Sequence, residues 1–81
     1  MMTAETQTFW KFSQALRDAV ARKDAAATIE AIDDVEALAL YASPQIQRRA
    51  LETLQDIAGG AYPAAACERA QGALAWCRHQ A

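Results

Sequence analysis

Apolar residues recur at intervals of three and four along most of this chain, the spacing of a helix with one buried face. Phe9, Phe12, Leu16, Ala19 and Val20 make the first such stripe, with Lys11, Arg17, Asp18 and Arg22 on other faces. This predicts a helix over residues 5–22, with Trp10 one position off the stripe, at the edge of the core. Ile29, Ile32, Val35 and Leu38 are spaced by three, so their stripe winds around a second helix over residues 24–42. Neither Gly nor Pro separates the two, but the phase does. The nine residues between Val20 and Ile29 are about two and a half turns, which would put the two on opposite sides of one continuous rod. A break near Arg22, Lys23 and Asp24 removes the conflict, and Asp24 can cap the helix that follows. If the break is absent the helices number three, otherwise four.

The third helix, over residues 44–58, has the clearest start: Ser43 as N-cap and Pro44 at the first helical position, where its missing N–H costs nothing. Ile46, Ala50, Leu51, Leu54 and Ile57 form its stripe, and Gly59-Gly60 suggests a left-handed stop. Pro44, Ile46, Ala50 and Leu54 sit at the Pro, aliphatic, Ala and Leu positions of a HEAT-type repeat, whose second helix this run of eleven residues resembles. Gln47 departs from the Arg usual after the aliphatic, and the chain holds no second copy of the pattern. Pro63 opens a fourth helix over residues 63–79, with Cys67, Ala70, Leu74 and Cys77 in its stripe and Ala66, Ala73 and Trp76 beside it. Short joints imply antiparallel neighbours. The expected fold is all-α, a small antiparallel bundle of three or four helices in a single domain, residues 1–81.

Composition sharpens this in one respect. Of the 81 residues, 21 are Ala, so only 20 large apolar side chains remain within the 53% hydrophobic content. Alanine favours helix and lets helices approach closely, so a tightly packed bundle is expected, with no room for a deep substrate cavity. The apolar run at residues 37–42 is too short to span a membrane. The first residues carry neither a basic start nor an apolar run, so no signal peptide is expected and the cytoplasm is the default location. Cys67 and Cys77 would lie about 15 Å apart on one helix, beyond disulfide reach, and two reduced thiols suit a reducing compartment.

Site chemistry is sparse. Cys67, Cys77 and His79 are three soft ligands where a structural zinc uses four, and Cys77 and His79 point apart on a helix. No metal or other cofactor is therefore expected. The same geometry separates His79 from either thiol as a catalytic pair, Ser13 and Ser43 have no base nearby in sequence, and Gly59-Gly60 lacks the following Lys of a phosphate loop. The chain is expected not to be an enzyme. Its net charge of −2 argues against nucleic-acid binding, for which Arg48-Arg49 and the basic first helix are the nearest support.

Charge is concentrated in one place: residues 24–40 hold five acids and no base. Glu30 with Asp34, and Asp33 with Glu36, fall on neighbouring helical positions and could face a basic partner. Large apolar residues also exceed one stripe. The end of the second helix, with Leu38, Leu40 and Tyr41, is apolar on every side, which calls for burial by the other helices or by a second subunit. Together with Trp10 and Trp76 these residues are the candidate apolar interface. The expected function is a non-catalytic protein–protein interaction module (a small regulator, adaptor or inhibitor), with a homodimer expected. The alternative is a phage- or plasmid-type anti-defence inhibitor, directed through its acidic helix at a nucleic-acid-handling protein. An accessory nucleic-acid-binding protein is the weaker third.

Overall fold

The computed structural model describes residues 3–60 and 62–80, which form four helices: α1 (Ala4–Ala21), α2 (Ala25–Tyr41), α3 (Pro44–Gly59) and α4 (Ala64–Gln80). The fold is all-α, as the periodicity predicts, and the first two helices are separate.

The break between them is a Schellman turn without glycine. Lys23 takes the left-handed position (φ 56°), its N–H donates to the Val20 carbonyl at 3.0 Å, and the Asp24 N–H donates to the Ala19 carbonyl at 3.0 Å. Asp24 then caps α2, its Oδ1 accepting from the Ala27 N–H at 3.0 Å. Lysine in a left-handed slot brings its Cβ close to a carbonyl oxygen, a strain glycine lacks. Lys23→Gly is therefore expected to stabilise the domain by about 0.5–1 kcal/mol despite the freer unfolded chain, read as a small rise in melting temperature.

The other joints follow different rules. α1 starts at Thr3, whose side chain accepts from the Thr6 N–H at 3.1 Å. Ser43 occupies the N-cap position of α3, yet its side chain makes no capping bond. Its N–H instead donates to Glu5 Oε2 at 2.7 Å, which ties the start of α1 to the end of α2. Gln47 reaches back from α3 and donates to the Leu40 carbonyl at 3.0 Å, serving one of the open carbonyls at the α2 terminus. The expected left-handed stop at Gly59-Gly60 is corrected: no glycine has positive φ, and Gly60 is extended at φ −97°. Glycine is needed there for space, because a Cβ would come within 2.7 Å of the Asp56 carbonyl oxygen and 2.9 Å of the Tyr62 ring.

α2 packs against all three other helices, α3 and α4 also pack on each other, and α1 meets α2 closely but α3 only sparsely. The core is thus the triangle α2–α3–α4, with α1 laid along one flank of α2. Ile32, Val35, Leu54 and Ile57 are its largest fully buried side chains. Ala31, Ala39, Ala50, Ala66, Ala70 and Ala73 fill the narrow spaces between helices, and Phe9 and Leu16 fasten α1. On α4 the buried face includes Ala66 and Ala73, which were expected beside the stripe, while Cys67 is only half-buried, toward the α3–α4 joint.

Candidate functional site

The five residues expected in an apolar interface divide. Trp10, Tyr41 and Trp76 stand out into solvent at 61%, 84% and 52% exposure. Leu38 and Leu40 do not: both are half-buried and pack against the core. α2 lies between α1 and α4 and on α3, so a helix end apolar on every side is covered by its own neighbours. Only Ala37 and Tyr41 of that segment remain exposed, which removes the reason for expecting a second subunit to cover it. The three exposed aromatics ride on different helices. Tyr41 ends α2, Trp10 borders the seam between α1 and α3, and Trp76 lies on α4 with its ring 6.4 Å from that of His79.

The four acids of α2 also divide. Asp33 and Glu36 turn to α4 and grip one guanidinium: Arg69 Nε donates to Asp33 Oδ1 at 2.8 Å, and its terminal nitrogen reaches Glu36 Oε1 at 2.7 Å. The hydrogen bond to Glu36, with the charges of Glu36 and Asp33 beside it, holds the Arg69 pKa above its ordinary value. Glu30 and Asp34 lie elsewhere, in a shallow groove of about 490 Å³ between α1 and α2, with Asp18 and Arg22 at its rim and Ala15 and Ala31 among its lining. Among the described residues none of these three carboxylates has an ion pair. Asp18 and Arg69 were not foreseen, since each meets the α2 acids only after two helices have packed.

A second groove, of about 530 Å³, opens where α1 and α3 stay apart. Leu16, Val20 and Ile57 supply its apolar lining, Trp10 and Arg17 stand on the α1 side, and Glu52 and Asp56 on the α3 side. At one end the Arg49 guanidinium sits 4.7 Å above the Phe9 ring, a cation–π contact within the chain that engages one of the two adjacent arginines. Ser13 is among the residues of the same groove, its Oγ buried and without a hydrogen-bond partner. Since α1 and α4 do not touch, His79 cannot serve as its base.

The thiols are free and differ in setting. Cys67 Sγ lies 3.5 Å from the carbonyl oxygens of Ile57 and Tyr62 and 3.8 Å from that of Gly60, so its single weak donor can serve one of these carbonyls at a time. Cys77 is buried, and that burial, reinforced by the nearby Glu36 charge, pushes its pKa up. At pH 8 an aromatic disulfide reagent should label Cys67 well ahead of Cys77, whose labelling should keep pace with unfolding. Equal rates for the two, compared in the Cys67→Ala and Cys77→Ala variants, would contradict this placement.

No helix of the described residues is long and apolar enough to cross a membrane, and among those residues no three His, Cys, Asp or Glu side chains converge as a metal ion would require. No protein-family model, curated protein or solved structure matches the chain.

Proposed function

We propose that this chain is a non-catalytic protein–protein interaction module, a small regulator, adaptor or inhibitor acting in the cytoplasm. The observation that carries the proposal is the exposure of Trp10, Tyr41 and Trp76 on a domain whose core is otherwise closed, with Ile32 and Leu54 wholly buried. Aromatic side chains of this size give up substantial apolar area to water when exposed and dominate binding energy when a partner covers them. The test places a photo-crosslinking amino acid at position 10, 41 or 76 in the living host, with exposed Gln55 as the control site. Protein adducts of defined mass should form from the aromatic positions and not from Gln55. Equal labelling from all four positions, or none, would overturn the proposal.

A second reading, inhibition of a nucleic-acid-handling protein through acidic residues, draws on Asp18, Glu30 and Asp34, which lack ion pairs among the described residues and share one groove. It shifts the acidic surface from the set 30, 33, 34 and 36 toward α1. Adducts whose yield falls steeply with salt when the crosslinker replaces Asp34 would favour it.

A further inference from the structure

We infer that α1 is an exchangeable helix: the joint at Arg22, Lys23 and Asp24 straightens into a continuous rod, and two copies of the chain pair by each seating its α1 on the other's α2. The inference concerns the chain's own assembly and does not depend on what it binds. Three observations lead to it.

The first is the state of the joint. Lys23 holds the left-handed position at φ 56°, a conformation that an L side chain resists and that a helix releases. Neither Gly nor Pro occurs before Pro44, and Arg22, Lys23, Ala25 and Ala26 are all strong helix formers. Helical bonding already reaches the joint from both sides: the Arg22 N–H donates to the Asp18 carbonyl and the Thr28 N–H to the Asp24 carbonyl, each at 3.0 Å. Straightening moves the N–H groups of Lys23 and Asp24 to the carbonyls of Ala19 and Val20, and that of Ala27 from the Asp24 carboxylate to the Lys23 carbonyl. The N–H groups of Ala25 and Ala26, open at the first turn of α2, gain the carbonyls of Ala21 and Arg22. No backbone donor at the joint loses its partner. A short joint under strain, with a helical alternative, favours exchange between copies.

The second is where the contacts lie. α2, α3 and α4 each pack on both of the others, so the packing of the triangle does not run through α1. Residues 21–26 are exposed, so straightening opens no core contact. α1 is held by its buried Phe9, Leu16 and Ala19, by the Glu5 carboxylate on the Ser43 N–H at 2.7 Å, and by Phe9 under Arg49 at 4.7 Å. Each of these contacts forms again in the exchanged pair, between chains instead of within one. The closed and exchanged states then differ only at the joints and in the entropy of pairing, so strain at Lys23 bears directly on the balance.

The third is phase. A joint this short makes α1 and α2 antiparallel, so the two rods, each over residues 4–41 and about 57 Å long, lie antiparallel with α1 of one beside α2 of the other. Val20 and Ile29 fall on opposite sides of a straight rod. In a lone chain that arrangement leaves one side bare. In the pair, the α1 stripe rests on the other copy's α2 while Ile32 and Val35 remain in their own triangle.

In the experiment the protein is unfolded in urea, refolded at millimolar concentration and fractionated by size, with circular dichroism checking the fold of each fraction. A dimer of twice 8.8 kDa should appear beside the monomer. When isotope-labelled and unlabelled chains are refolded together, filtered NOEs in the dimer should join the Phe9 ring of one chain to the Arg49 side chain of the other. Each dimer opens two joints, so a change at the joint counts twice. Lys23→Gly, which relieves the closed turn and weakens the rod, should raise the dissociation constant about tenfold or more, read after equilibration in mild urea. Asp24→Ala, which removes a cap that only the closed joint uses, should lower it by about the same factor. A parent protein that refolds only as a monomer would overturn the inference. So would a dimer whose Phe9–Arg49 contacts stay within one chain, since it pairs through its surface with the joint closed. A dimer population that Lys23→Gly leaves unchanged also sinks it.

Discussion

Leu54→Ala should lower the stability of the domain by about 3–4 kcal/mol and its melting temperature by about 15–25 °C. Leu54 is wholly buried in α3, the helix that meets α2 on one side and α4 on the other. Truncation removes three methyl or methylene-sized groups from the centre of the triangle and leaves a hole. Much of the buried core to which Leu54 belongs is alanine or β-branched (Ala50, Ala70, Val35 and Ile32 among them), and such short or stiff side chains have little reach with which to fill a hole. A domain of this length has only about 4–12 kcal/mol in total, so the variant stands near the edge of folding. Urea titration checks the figure: the midpoint should fall with an unchanged slope. A loss below about 1 kcal/mol would mean that the centre of the core lies elsewhere, toward α1.

Where helices begin and end was legible wherever the cause is local. Asp24 and Pro44 mark starts by their own chemistry, and the α1–α2 break followed from helical phase although Lys23, not glycine, takes the left-handed turn. The Gly59-Gly60 pair misled because glycine answers to two demands, positive φ and lack of a Cβ. Here the second applies, and at Gly60 alone, where a Cβ would meet the Asp56 carbonyl oxygen and the Tyr62 ring, while one at Gly59 would meet nothing. Trp10 could be placed outside the core from its offset in the stripe. Leu38 and Leu40 could not be placed, since an end apolar on all sides is equally explained by neighbours or by a partner. The ion pairs of Arg69 with Asp33 and Glu36, and the open seam between α1 and α3, depend on which helices touch. Alanine-rich stripes state that helices pack closely without stating which ones, so neither feature had a local signature.

Close packing through alanine makes its own prediction, the reverse of truncation. Ala70→Leu should destabilise the domain by about 3 kcal/mol, whereas Ala75→Leu on the same helix should change it by no more than about 0.5 kcal/mol. Both substitutions add the same side chain and raise local apolarity equally, and both residues have similar helix propensity. They differ in what the new atoms meet. Ala70 is wholly buried on the α4 face that packs on α2 and α3, between Ala66 and Ala73 or Leu74 on adjacent turns. Ala75 is exposed. A leucine at position 70 has no free volume to occupy, so α4 must move away from the triangle. That motion also strains the Arg69 pairs with Asp33 and Glu36 one residue away. The loose α1–α3 seam cannot absorb it, because α4 does not contact α1. Thermal melts followed by circular dichroism separate the two variants directly. If Ala70→Leu melts with Ala75→Leu and the parent, the helices are not in contact through their alanines, and the α2–α3–α4 triangle is wrong.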